Sequence, residues 1–128
     1  MKLLFEVRPV EHLEASVDYY RGLGLETLGW PDDETALLGP HEGTATIVLV
    51  RDPAEAALGA GGVYDVGDVD TFYEEHGELD WLIAPVSTAL GRYAVFADRT
   101  GTCFRVLDPD PHLGTETGAS FRLYAAAS

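Results

Sequence analysis

The 128-residue chain reads as an α+β domain: two β-α-β-β-β modules forming one curved mixed sheet around a cup, with the helices outside. Three observations predict this. The same order of strand and helix patterns occurs twice, and repetition of a whole unit outweighs any single element. A glycine-rich joint, "LGAGG", lies near residue 60, between the two copies. The best helix pattern carries its apolar residues on one stripe, as a helix covering a sheet must.

Residues 3–9 alternate imperfectly and read as a strand. "VEHLEASVDYYRGLGL" then carries Leu13, Val17, Tyr20 and Leu23 at helical spacing, and Gly22 and Gly24 stop it. "LETLGW" and "TALLGP" are short strands flanking the acidic turn "PDDE". "GTATIVLV" is rich in β-branched residues and is the clearest strand. "RDPAEAALGAGG" turns from polar to small and glycine-rich and reads as a linker. The second copy follows. "GVYDV" is a strand, and "GDVDTFYEEHG" is a short helix capped by Asp68 or Asp70. "LDWLIAP", "RYAVFAD" and "TCFRVLD" are strands, the last two joined by the hairpin turn "RTGT". One domain, 1–128, is expected: module one over about 1–52, a linker over about 53–60, module two over about 61–108 and a tail over 109–128. The tail is turn-rich and holds one short strand pattern, "SFRLYA".

Composition narrows the function classes. Net charge is −14, from 22 acidic and 8 basic residues. Phosphate backbones and anionic membranes would be repelled, so neither nucleic acid nor a membrane is an expected partner. A cationic ligand would be attracted, although the charge equally serves solubility. The single cysteine, Cys103, excludes an internal disulfide. "MKLLFEVRPV" has no long apolar core or small-residue cleavage pattern, so cytoplasmic residence is expected.

"HLEASVDYYRGLGLE" resembles a motif of an acidic residue, Leu-Glu-x-Ser, an aromatic pair and Leu-Gly. "FADRTGTCFRVLD" resembles Asp-Pro-Asp-Gly-Asn followed by a strand. In this order, and with the doubled module, they are similar to the vicinal oxygen chelate superfamily of glyoxalases, extradiol dioxygenases, fosfomycin-resistance enzymes and bleomycin-resistance proteins. The resemblance covers roughly residues 3–108. It implies a cup in which enzymes of the family hold a divalent metal with His, Glu or Gln from four strands.

Counting from the motifs places those four positions on Phe5, Val48, Gly61 and Arg105. Phenyl, isopropyl and hydrogen donate no lone pairs, and guanidinium is a permanent cation. No metal and no cofactor is therefore expected. Arg105 should face the cup beside Cys103, with Phe104 and Val106 toward a helix. A charge there needs a partner. Either it forms a structural ion pair, with Glu6 as the nearest candidate, or it awaits an anionic or carbonyl-bearing ligand. A slip of one residue in the first strand would exchange Phe5 and Val7 for Glu6 in the cup.

Trp30, Trp81 and Tyr93 lie on or beside strands and are candidate ligand walls with Phe5, Val48, Gly61, Cys103 and Arg105. Tyr64 joins them only through a slip or a bulge. "WPDDE" sets carboxylates beside Trp30, which suits a planar cation or an ordinary acidic turn. His12, His41, His76 and His112 are scattered, without ligand-type spacing. Cys103 reads as a small wall residue, with a thiol acidified by Arg105 as the lesser alternative.

The lead expectation is a metal-independent binder like the bleomycin-resistance proteins, sequestering a bulky aromatic or cationic compound, as a homodimer. No catalytic residue is assigned. The alternatives are a metal-free enzyme using Arg105 to polarise a carbonyl with Glu6 moving a proton, a metal-dependent glyoxalase or dioxygenase, and a partner-binding module whose cup is filled by its own side chains.

Overall fold

The computed structural model describes residues 1–41 and 43–109; "SFRLYA" and His112 lie outside them. Module one runs β1 (Lys2–Pro9), α1 (Leu13–Gly22), β2 (Glu26–Asp32), β3 (Thr35–Gly39), β4 (Ile47–Val50). Module two runs β5 (Gly61–Asp65), α3 (Val69–Glu75), β6 (Asp80–Thr88), β7 (Gly91–Ala97), β8 (Cys103–Pro109). Between them stands α2 (Pro53–Leu58), where the sequence reads as linker.

The eight strands form one sheet in the order β2-β3-β4-β1-β5-β8-β7-β6. Within each module the first strand pairs parallel to the last, β1 with β4 and β5 with β8. The modules meet where β1 pairs antiparallel with β5, Phe5 opposite Val63 and Val7 opposite Gly61. The two halves are therefore arranged alike on either side of the β1–β5 seam.

Alternation along the strands divides the sheet into two faces. On the outer face, Leu13 and Val17 of α1 bury against Ala36, Leu38 and Leu49. Val69 of α3 buries against Ala94, Phe96 and Val106. The inner face collects Phe5, Val7, Leu37, Val48, Val63, Tyr93, Val95 and Leu107 in a third cluster. Asp68 caps α3, its Oδ1 accepting from the Thr71 amide at 2.9 Å. Asp70 instead accepts from Nε and Nη2 of Arg92, at 3.1 Å each. Among the described residues, no helix is long and apolar enough to cross a membrane.

α2 has local causes. Asp52 accepts from the Ala54 amide at 2.8 Å and Pro53 opens the first turn. Gly59, at φ +83°, ends it. The helix buries none of its residues fully. Its Leu58 nevertheless packs against the inner cluster. The joint between the modules is therefore a short helix laid over the cup rather than an open linker.

Candidate functional site

The centre of the cup is Arg105, fully buried on β8. Its Nε donates to Glu55 Oε1 at 2.9 Å and to the Tyr93 hydroxyl at 3.0 Å. Its Nη2 donates to the Gly59 carbonyl at 2.6 Å and lies 2.9 Å from Glu55 Oε1. Tyr93 in turn donates to Glu55 Oε2 at 2.7 Å. Glu55 and Gly59 both come from α2 and its C-cap, so the helix is tied to the floor of the cup by one charge pair. Nη1 is buried and has no hydrogen-bond partner.

This geometry corrects the expected pairing of Arg105 with Glu6. Glu6 bonds Arg8 instead, and Arg8 reaches Tyr20 of α1, so Glu6 faces the helix side. Phe5 and Val7 face the cup, as counting from the motifs predicts without a slip. Taking a guanidinium out of water costs several kcal/mol unless a counter-charge and hydrogen bonds offset it. Here burial works against the Arg105 charge, but the facing Tyr93 and Glu55 outweigh it and hold its pKa above the ordinary value. Burial, then the Glu55 charge, push the Tyr93 hydroxyl well above its usual pKa, so it stays a neutral donor. Cys103 packs at the edge of the inner cluster. Its pKa moves up, because burial outweighs the lowering by Arg105.

Gly61 has a steric role here. A Cβ on it would lie 2.8 Å from Arg105 Nη1. The guanidinium is pinned by its other nitrogens and yields poorly. Gly61→Ala should cost about 2 kcal/mol, measured by urea denaturation. A loss under about 0.5 kcal/mol would show that Arg105 is not fixed where it lies.

Beside the ion pair is a cavity of about 110 Å³. Val7, Val48, Val50, Val63, Leu90 and Leu107 form its apolar wall; Thr35, Asp52, Glu55, Thr88 and Tyr93 are its polar groups. Glu55 and Tyr93 stand between this space and Arg105. Phe5, Val48, Gly61, Tyr93, Cys103 and Arg105 thus share the inner face.

The two tryptophans do not. Trp81 packs on Phe72 and Tyr73 of α3 and on Phe96 of β7, and donates to the His76 carbonyl at 2.9 Å. Trp30 is 40% exposed and lines an open trough of about 560 Å³ between α1 and β2, with Glu14, Asp18, Arg21 and Glu26. Tyr64 stacks on Phe104, 4.6 Å between ring centres, away from the cup. In the acidic turn, Glu34 is taken by Arg51 at 2.6 Å.

The cup does not fit a divalent metal. Among the described residues no three His, Cys, Asp or Glu side chains converge. The four positions marked by the motifs present phenyl, isopropyl, hydrogen and guanidinium. Asp52 and Glu55 are oxygen donors at the rim, but Glu55 is already bound to a cation and Asp52 caps α2.

Glu55 is the residue that reasoning from sequence missed. A signal existed: Asp52-Pro53-Ala54-Glu55 carries a cap, a proline in the first turn and an acid three residues after the cap, which marks a helix start. Nothing local shows that this acid points into a cup built fifty residues on.

No protein-family model matches the sequence, and no curated protein matches it. Solved structures do match in fold. A protein described as an NAD-dependent benzaldehyde dehydrogenase from Legionella pneumophila superposes with a TM-score of 0.64 at 15% identity, over 80% of this chain and 95% of that one. A glyoxalase/bleomycin resistance protein/dioxygenase superfamily member from Vibrio splendidus gives 0.57 at 19% identity, over 80% and 94%. The Mn(II)-bound glyoxalase from Novosphingobium aromaticivorans gives 0.55 at 18% identity, over 84% of this chain and 39% of that one. At such identities the likeness speaks for the fold alone, and the fold agrees with the motifs and the doubled module: the chain has the fold of the vicinal oxygen chelate superfamily.

Proposed function

We propose that the chain is a metal-independent receptor that holds a small, mainly apolar organic compound in the cup of its sheet. One observation carries this reading: side chains from the central strands converge on a concave space, yet they are Val7, Val48, Val63 and Leu107 rather than metal donors. Apolar walls with a few convergent polar groups are the usual form of a small-molecule site.

Size limits the ligand. Pockets for drug-sized molecules run to roughly 300–1,000 Å³. A dry cavity of about 150 Å³ takes one benzene ring. The space here, about 110 Å³, is smaller than that and suits a branched aliphatic group while α2 stays in place. Sequestration of a bulky cationic or aromatic compound would need the mouth to open. A metal-free enzyme that moves a proton through Glu6 lacks its acid in the cup, because Glu6 faces away and bonds Arg8.

Thermal denaturation tests the reading, with isobutanol and tert-butanol as neutral probes and Mn(II), Ni(II) and Zn(II) as ions. The expected result is a rise in Tm with the neutral probes, reflecting a stabilisation of about 2.7 kcal/mol at a hundredfold excess over Kd, and no rise with the ions. Stabilisation by one equivalent of a divalent ion, held through dialysis, would contradict it.

A further inference from the structure

Resting on that reading, we propose that the cup is a carboxylate site whose resident occupant is Glu55, and that the ligand is a small monocarboxylate with a compact apolar body, which displaces Glu55 from Arg105. Arg105 is fully buried at the floor of an apolar cup, an arrangement suited to an anion and to nothing cationic. Its counter-charge is not built into the sheet that carries it. It reaches in from α2, a six-residue helix with no fully buried residue, flanked on its far side by Gly59, Gly61 and Gly62.

The resident carboxylate fits the site imperfectly. Glu55 presents only Oε1 to both Nε and Nη2, and its Oε2 turns to Tyr93. The paired two-oxygen fork that guanidinium prefers is not made, and Nη1 is left buried without a partner. A free carboxylate is not tethered to α2 and can take the fork, with the Tyr93 hydroxyl as a further donor. The cavity is placed to receive the rest of such a ligand. Glu55 and Tyr93 line it, Arg105 lies directly behind them, and Val7, Val48 and Val63 surround the space in front. Withdrawal of the Glu55 side chain joins the two spaces. The exchange replaces one carboxylate by another, so the buried guanidinium never stands uncompensated.

The acidic surface attracts cations, but the charge that meets a ligand in the cup is the Arg105 guanidinium, so the ligand bound there is an anion. Glu55 competes with it at the high effective concentration of a tethered group, so wild-type binding is weak and loss of the competitor strengthens it.

The experiment compares wild type with Glu55→Gln and Glu55→Ala in titration calorimetry and thermal denaturation. The probes are isobutyrate, isobutyramide, isobutylamine and isobutanol, which share one body and differ in the head. The expected result is that isobutyrate binds both variants about tenfold or more tightly than it binds wild type, while the amide and the alcohol change little. If either variant fails to fold in buffer, isobutyrate restores folding and isobutyramide at equal concentration does not. Equal isobutyrate affinity in wild type and variants, a preference for the ammonium probe, or rescue by the amide as good as by the acid would overturn the inference alone. Absence of binding by all four probes to all three proteins would overturn the receptor reading with it.

Discussion

Replacing Glu55 by Ala should destabilise the protein by about 3–5 kcal/mol, the usual cost of stripping the partner from a buried charge. Arg105 has no exposed surface and keeps only the Tyr93 oxygen and the Gly59 carbonyl once the carboxylate is gone. Neither carries a negative charge, and Tyr93 is held in its neutral form. The size of this effect is unusual for a residue on a short surface helix, where truncation to Ala commonly changes stability by less than about 0.5 kcal/mol. Urea denaturation read by far-UV dichroism measures it. A loss below about 1 kcal/mol would mean that Arg105 finds another counter-charge or leaves the cup.

Gly39→Ala should be comparably damaging, for steric rather than electrostatic reasons. A Cβ at position 39 would lie 2.3 Å from the Thr44 carbonyl oxygen and 2.8 Å from Leu28 Cδ1. The first of these is backbone, and it belongs to the segment that leads into β4. Relief therefore requires β3 to separate from the chain beside it, at an expected cost of about 3 kcal/mol. Thr46 bonds back to the Leu38 carbonyl at this place, so amide exchange at Thr46 should speed up in the variant. An unchanged exchange rate, with stability within about 0.5 kcal/mol of wild type, would place the Thr44 carbonyl elsewhere.

The architecture was legible because it rests on local patterns stated twice. Apolar stripes on α1 and α3 and alternation in β1, β7 and β8 fix which side of the sheet each residue covers. That is enough to put Phe5, Val48, Cys103 and Arg105 inside, and Phe104 and Val106 under α3. The tryptophans were misplaced where alternation fails. Both strands that carry them have irregular pairing, between Thr27 and Asp32 in β2 and between Trp81 and Val86 in β6. Each irregularity shifts the count of faces by a residue, and no local residue type announces it. α2 was lost among small residues and glycines because a helix of six residues shows no stripe.

Half of the site was legible for the same reasons, and half was not. The sequence places a charge in mid-strand and the need for a partner follows from burial. Which acid answers that need is decided by the path of the chain between the modules, and Glu55 lies fifty residues from Arg105. Glu6 is nearer to the cup in the sequence pattern, but the pleat of β1 turns it toward Arg8 and Tyr20. The choice between structural ion pair and ligand site therefore could not be made by spacing.

A double-mutant cycle on Arg105→Met and Glu55→Gln tests most directly the claim that this one charge pair organises the cup. Glu55→Gln alone should be the least stable protein, and adding Arg105→Met should recover much of the loss, because the orphaned charge goes with it. The predicted coupling is about 2 kcal/mol or more. Two losses that simply add, to within about 0.5 kcal/mol, would contradict the account.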